Sequence, residues 1–360
     1  MRRRFGLVAA LAMVVAACVG CEPGWINPVL GSGDGSGSVP GDPPGVAAAD
    51  VALGSPWAMT DLGARGYLAY EGDDCTIMRV ADGHATRYAG DGTCGESGDG
   101  GPAADAQLGV VPTPLGAGLQ ADPDGNVYFV NAPTGNIRRI DAATGTISTV
   151  VADPGGFVFG ISAEAGGVIT YLTSRTVEII DGNISYRDEV WELRRLDASG
   201  DHLVADIDAY LYPQSSPAGL VRVGPDHYVT FGSVTDTNPI RIDVVDGIVS
   251  STAIAQVGPE LILGAAGADG SVYGVTYYDL SADGFEGNHV FRVHPDGSVD
   301  FIAGSGDPDT GTKRQMGTGG DLDLTAKVVA MTRQGNLLIA SGHTVYNLVD
   351  PATAPAIAAP

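Results

Sequence analysis

Short apolar runs, separated by turns rich in glycine and aspartate, recur along the chain from about residue 52 onward. The clearest copy of this unit spans residues 118–154. Its four apolar runs are 118–121, 127–130, 137–140 and 146–150. Runs of β-branched and aromatic residues joined by Asp-Gly turns are typical of antiparallel hairpins. Each copy therefore predicts a small four-stranded antiparallel sheet.

The third run of the unit shows most clearly how often it is repeated. Its six copies are 77–80, 137–140, 193–196, 240–242, 290–293 and 345–348. A four-stranded sheet cannot bury both faces alone, but six of them packed radially close into a β-propeller. We therefore predict an all-β fold, a six-bladed β-propeller of four-stranded antiparallel blades. A parallel β-helix is the alternative, although its repeats are shorter and it is not built of hairpins throughout.

The sixth copy is the weakest. Its fourth run falls near 354–358 and contains Pro355, which a strand tolerates only at an edge. Because a propeller needs protected edges, we predict that residues 46–52 pair along the sixth blade and close the ring.

The chain has 360 residues, 53 of them glycine, with 44% hydrophobic residues and a formal net charge of −24. The hydrophobic share excludes a wholly disordered chain. The acidic excess repels nucleic acid and anionic lipid headgroups, so neither is an expected partner. It favours metal cations or basic partners, or it merely keeps the protein soluble. A protein or peptide is the first choice of ligand, and a saccharide is the second. We expect a monomer.

The first residues are typical of an export signal. Arg2–Arg4 precede an apolar run, 5–17, that is too short to cross a bilayer. The run ends in Val15-Ala16-Ala17-Cys18, which resembles a bacterial lipobox, whose cysteine becomes lipidated. Cys21 is a second candidate, and cleavage without lipidation is the alternative. We predict a cell-envelope lipoprotein or a secreted protein. The predicted organisation is a lipoprotein-type signal peptide at 1–17, a flexible Gly/Ser/Pro tether at 18–50 and the propeller at 51–360.

Only Cys75 and Cys94 lie beyond the leader. Two cysteines in one folded part of an exported protein predict a disulfide. The first falls in the loop after the second strand of the first blade, and the other in the junction after that blade. Both positions belong to one face of the predicted ring, so the two can meet. Two buried free thiols are the alternative.

Residues 88–108 read YAGDGTCGESGDGGPAADAQL. This stretch resembles the linker that joins blades in bacterial NHL-repeat propellers, AG(T/D)G…GDGGPA…AxL. The resemblance covers about 88–152 and weakens to Phe301–Gly306 near the junction of the fifth and sixth blades. It implies a propeller, but not one function, because the family includes interaction scaffolds and some enzymes.

The two faces of the predicted ring differ in loop length. Turns after the first and third strands form one face, which we call the turn face, and they are short. Loops after the second strand and junctions between blades form the other, which we call the insertion face. Its insertions are 91–112, 174–189, 206–218, 279–288 and 306–326. Long loops gathered on one face are typical of a binding face, whereas neutral drift, the alternative, scatters them. The acidic residues predicted to form this binding face are Asp91, Asp99, Asp105, Asp188, Asp283, Asp309 and Asp321.

Candidate chemistry is sparse. Asp91 and Asp99 adjoin glycines and are candidate calcium ligands, with solvated acidic turns as the alternative. No histidine pattern with zinc spacing and no GxSxG elbow is present. The predicted first strands are largely apolar and lack the Glu, Asn and Asp trio of calcium-dependent lactonases similar to gluconolactonase. We therefore identify no catalytic residues and favour an extracytoplasmic binding module over its alternative, a calcium-dependent hydrolase or lyase.

Overall fold

The computed structural model shows six antiparallel sheets whose first strands contact one another in a closed ring. The predicted six-bladed β-propeller is confirmed. Residues described are 23, 25–35, 37–41, 45–54, 56–72, 74–109, 118–132, 134–181, 184–207, 219–231, 239–245, 248–253, 261–276, 289–304, 317–318 and 326–356. Within this part of the chain, no helix is long and apolar enough to cross a membrane.

Blades one to five are meanders that run outward from the central channel, whereas blade six is completed at its outer edge by strands from elsewhere in the chain. Two strands precede the first blade, β1 (Trp25–Leu30) and β2 (Val46–Ala47). Blade one holds β3 (Pro56–Asp61), β4 (Tyr67–Glu71), β5 (Thr76–Ala81) and β6 (His84–Ala89). Blade two holds β7 (Leu119–Ala121), β8 (Val127–Asn131), β9 (Asn136–Ile140) and β10 (Ile147–Val151). Blade three holds β11 (Val158–Ala163), β12 (Ile169–Asp181), β13 (Ile184–Asp197) and β14 (Gly200–Asp206).

The remaining blades repeat this order. Blade four holds β15 (Val221–Gly224), β16 (His227–Phe231), β17 (Pro239–Val245) and β18 (Ile248–Ala253). Blade five holds β19 (Leu261–Ala266), β20 (Val272–Thr276), β21 (Val290–Val293) and β22 (Val299–Ala303). Blade six holds β24 (Ala326–Met331), β25 (Leu337–Ser341) and β26 (Thr344–Leu348), with β23 (Gly317–Thr318) at its outer edge. Within the described residues, single 3₁₀ turns lie at Ala48–Asp50, Gly63–Arg65, Ala103–Asp105 and Ala165–Gly167.

The described core is divided into six apolar clusters, one between each pair of neighbouring blades. Between blades two and three, for example, Tyr128 and Ile137 pack with Ile161 and Tyr171, all at most 1% exposed. Because alternate residues of a strand point to opposite faces, each blade contributes to two clusters. Burial of both faces is what an isolated blade lacks.

The ring is closed by the N-terminal strand β1. β1 pairs antiparallel with β26 and supplies the fourth strand of blade six, with Ile26 and Leu30 completely buried. The prediction that residues 46–52 close this blade is wrong, because β2 pairs with β6 of blade one. β1 contains Pro28, which cannot donate a ladder hydrogen bond, and the register shifts just beyond it.

The Gly/Ser stretch predicted as a tether follows β1 instead of preceding it. Its backbone is bonded to the seam between blades six and one, where the amide of Gly31 donates to Ala48 O (2.8 Å) and that of Ser38 to Asp50 O (2.9 Å). A Cβ atom at Gly31 would lie 2.1 Å from His343 O, so only glycine fits this approach. The part of the tether from 25 onward thus belongs largely to the propeller.

Candidate functional site

The disulfide between Cys75 and Cys94 is formed, with 5.2 Å between the two Cα atoms, as predicted. It ties the loop between β4 and β5 to the start of the first blade junction. The far end of this junction returns to the same place, because the Gly95 amide donates to Leu108 O at 2.8 Å. Disulfides of this kind persist in oxidising compartments, which agrees with export.

The junction 91–109 lies along the outer edge of blade two. Gly100 N donates to Ile147 O and Ile147 N donates to Gly101 O, so the GDGG segment pairs with β10. β10 is the outermost strand of its sheet. The linker therefore covers an edge that would otherwise present unpaired backbone groups.

Arg138, in β9, holds this linker in place through hydrogen bonds from its side chain. Its side chain is 1% exposed, and its guanidinium donates to the Asp99 carboxylate (2.7 Å), to Gln107 O (2.7 Å) and to Ser97 O (3.2 Å). The second oxygen of Asp99 accepts from the Thr149 amide at 2.8 Å. Burial opposes ionisation of Asp99, but these hydrogen bonds from Thr149 and Arg138 outweigh it and lower its pKa. Asp99 thus has a partner inside the fold, which the sequence alone does not indicate.

The other predicted carboxylates of the junction are exposed. Asp91 accepts a hydrogen bond from the Thr93 amide at 2.7 Å, and Asp105 ends a 3₁₀ turn. Glu96 is exposed as well, but it accepts hydrogen bonds from the side chains of Asn131 and Thr134 in blade two. Among the described residues, no group of three or more His, Cys, Asp or Glu side chains could hold a metal ion.

The remaining predicted site residues are described in part or not at all. Asp188 lies in β13 opposite Val177, and its side chain is outside the described residues. Cys18, Asp283, Asp309 and Asp321 also lie outside the described residues.

The insertion predicted over 174–189 is an extension of the blade. β12 and β13 continue their ladder up to Asp181 opposite Ile184. The pairing of β11 with β12 ends at Thr173, and the pairing of β14 with β13 ends at Glu192. Among the described residues the ladder beyond these points therefore has two strands. Trp191 packs edge-on against Phe159 at its base, with 4.7 Å between ring centroids.

A cavity of about 410 Å³ lies in the central channel, at the turn-face ends of the first strands. One arc of its wall is polar, with Thr60, Gln120, Ser162 and Arg222 from blades one to four. The opposite arc is formed by alanines and a methionine from blades five and six: Ala265, Ala266, Ala330 and Met331.

A single carboxylate lines this described cavity. Asp61 accepts hydrogen bonds from the amides of Gly63 (2.9 Å) and Arg333 (3.1 Å), which makes it a fixed part of the fold. The described lining thus holds no Glu, Asn and Asp trio of the lactonase type.

Next to the cavity, charged side chains connect blades three and four. Glu164 lies 3.0 Å from Arg222 and 3.2 Å from Arg195, and Arg195 lies 3.6 Å from Asp226. Sequence reasoning did not find this network, since no local pattern relates residue 164 to residues 195 and 222.

No family model matches the sequence, and no curated protein matches it. Solved structures do resemble the fold. A Bacteroides thetaiotaomicron protein of unknown function shares 14% identity over 90% of this chain and 75% of that chain, with a TM-score of 0.59. A putative gluconolactonase shares 12% identity over 82% of this chain and 89% of its own, with a TM-score of 0.50. Virginiamycin B lyase from Staphylococcus aureus shares 13% identity over 82% and 94%, with a TM-score of 0.47. The common feature is the propeller fold alone.

Proposed function

We propose that this chain is an extracytoplasmic binding module of the NHL-repeat type that recognises a protein or peptide through its insertion face. The observation that carries this proposal is the hairpin formed by the outer parts of β12 and β13. Its seven residue pairs from Arg175 opposite Val190 to Asp181 opposite Ile184 extend about 24 Å, at about 3.4 Å per residue.

A two-stranded ladder of this length has little stability by itself in water. Its sequence contains five apolar or aromatic residues, Val177, Ile179, Ile180, Ile184 and Tyr186. A hairpin of this composition that extends beyond the flanking strands of its blade supports docking of a second protein, whose surface would cover it.

The charge of the protein supports a basic partner. The net charge of the chain is −24, and the exposed carboxylates of Asp91 and Asp105 contribute to it on this face. Such charges steer an oppositely charged partner and mainly raise the association rate. A saccharide is the second class of ligand that this face would suit.

The lipobox-like Cys18 and the disulfide together support an envelope protein held by a lipid, with Cys21 as the second lipidation candidate. Trp25, at the start of β1, lies four positions after Cys21 and seven after Cys18. The fully extended reach is then about 14 or 25 Å. The anchored propeller would sit close to the bilayer, with the Gly/Ser stretch serving the seam of the ring and not as a spacer.

The test replaces residues 176–189 by Asn-Gly, a dipeptide suited to a two-residue hairpin turn. Peptides selected from a displayed library on the intact protein should bind this variant at least tenfold more weakly. Equal affinity for the same peptides would show that the hairpin is not the binding surface.

A matched pair of charge variants tests the electrostatic part. Asp91→Asn with Asp105→Asn should slow association and reduce its salt dependence, because exposed charges are screened over about 8 Å at physiological ionic strength. Asp82→Asn with Asp296→Asn, at exposed positions of the turn face, is the control and should leave association unchanged. An activity lost with a chelator and restored by one metal ion would instead support the calcium-dependent hydrolase or lyase.

A further inference from the structure

The channel cavity lies at the turn-face ends of the first strands, away from the hairpin of the proposed binding surface. Its volume of about 410 Å³ falls within the range of about 300–1,000 Å³ that is usual for small-molecule sites. Ligand sites of this size combine an apolar wall with a few polar groups that fix orientation. The two arcs of the wall have this composition.

The cation of the polar arc is Arg222. Its Nη2 lies 3.0 Å from a Glu164 oxygen, and its side chain is 30% exposed. Its buried Nε has no hydrogen-bond partner within the described part of the chain, so Glu164 does not satisfy the whole guanidinium. Glu164 is itself shared with Arg195, at 3.2 Å. This leaves Arg222 with capacity for a second anionic partner.

Two neutral groups line the same polar arc, Ser162 on the neighbouring blade three and Gln120 on blade two. Ser162 is 8% exposed and Gln120 is half-buried, and both line the cavity. Neither side chain hydrogen-bonds to a described residue, whereas the Thr60 hydroxyl accepts from the Ala121 amide at 3.0 Å. A hydroxyl and an amide with spare hydrogen-bonding capacity therefore share the polar arc with the guanidinium.

The charges around the cavity argue against a cation as its occupant. Asp61, the carboxylate in the described lining, already accepts from two backbone amides and lies 3.7 Å from the Arg333 guanidinium. Within the described residues, no cluster of metal-ligating side chains lies here. An anionic head on the side of Arg222 and an aliphatic body against Ala265, Ala330 and Met331 match the two arcs.

We propose that this cavity is a second binding site, which takes a small organic carboxylate with a short aliphatic chain. The carboxylate pairs with Arg222, Ser162 and Gln120 donate hydrogen bonds to it, and the chain lies on the apolar arc. This site is independent of the hairpin, so trimming the hairpin leaves it intact.

The probes are the straight-chain carboxylates from acetate to octanoate, with the primary amide of each as the uncharged counterpart. Ligand-observed NMR and calorimetry on the full chain should show binding of the acids. Affinity should rise about fourfold per added CH₂, as expected for burial of a methylene, until the chain outgrows the cavity. The amides should bind at least tenfold more weakly, because a charge-assisted hydrogen bond is lost.

Variants locate the site. Arg222→Gln should weaken the best acid at least tenfold, and Ser162→Ala should weaken it severalfold. The matched control is Arg241→Gln, an arginine in the same blade that pairs with Asp243 at 2.7 Å and does not line the cavity. It should change affinity less than twofold.

Several results would overturn the proposal. One is the absence of binding by every acid at millimolar concentration, and another is equal affinity for acids and amides. A third is unchanged affinity in a natively folded Arg222→Gln protein. Should that variant fail to fold, Ser162→Ala and the acid–amide comparison still decide.

Discussion

Replacing Arg138 by methionine should destabilise the propeller far more than the same replacement at the adjacent Arg139. Methionine keeps the length and much of the volume of the side chain but removes every donor. The carbonyl oxygens of Ser97 and Gln107 then lose their arginine donor, and Asp99 keeps only its hydrogen bond from Thr149. The linker between blades one and two should loosen as a result.

The size of the destabilisation follows from the hydrogen bonds that Arg138 makes. A buried acceptor left without its donor costs about 1–3 kcal/mol, and this cost applies to the part-buried Gln107 O, because Ser97 O keeps the amide of Gln107 at 3.1 Å. Breaking a fully buried ion pair costs about 3–5 kcal/mol, but Asp99 is 41% exposed and regains water, so its share is smaller. We expect a loss of about 2–4 kcal/mol in the free energy of unfolding.

Urea unfolding followed by circular dichroism measures this loss. Arg139→Met is the control, since Arg139 and Asp141 are each 32% exposed and a surface pair contributes about 0–1 kcal/mol. If the free energies of unfolding of the two variants differ by less than 1 kcal/mol, the hydrogen bonds from Arg138 to the linker do not stabilise the contact between the blades.

Closure of the ring by β1 predicts that Ile26→Ala costs about 2–4 kcal/mol in urea unfolding, whereas Val46→Ala, at a half-buried edge, costs less than about 1 kcal/mol. Reduction of the Cys75–Cys94 disulfide, with 19 residues of sequence separation, should remove about 3 kcal/mol, and an unchanged melting temperature would contradict this. Hydrogen bonds from an arginine and a histidine lower the pKa of Asp300 below its ordinary 3.8. Its stabilisation is therefore complete above about pH 5 and lost as pH falls through the lowered pKa, so Asp300→Asn should flatten the acid limb of a stability–pH curve.

The position of every third strand could be predicted from the sequence, since each is marked by local signals. The apolar runs at 77–80 and 137–140 are examples, and both lie in the strands that the repeat predicts, β5 and β9. The disulfide could also be predicted, because its two cysteines fall in loops that the repeat places on one side of the first blade. Local periodicity and turn chemistry act over a few residues, which is why a repeated pattern alone predicts the blades.

Contacts between distant residues required the tertiary structure. β1 pairs with β26, which follows it by more than 300 residues in the sequence. The composition of Trp25–Leu30 does not predict which strand it pairs with. Asp122 has the appearance of a surface turn residue, yet it is completely buried and accepts hydrogen bonds from Asn126. Asp99 likewise has the appearance of an acidic loop residue, yet it forms an ion pair with the buried Arg138.

The sequence by itself determined the number of blades and the position of their repeated strands. The tertiary structure decided which strand closes the ring, which carboxylates remain exposed and what lines the channel. The physical reason is that strand and turn preferences are encoded in neighbouring residues. Closure, burial of charge and the shape of a cavity depend instead on which blades become neighbours in the ring.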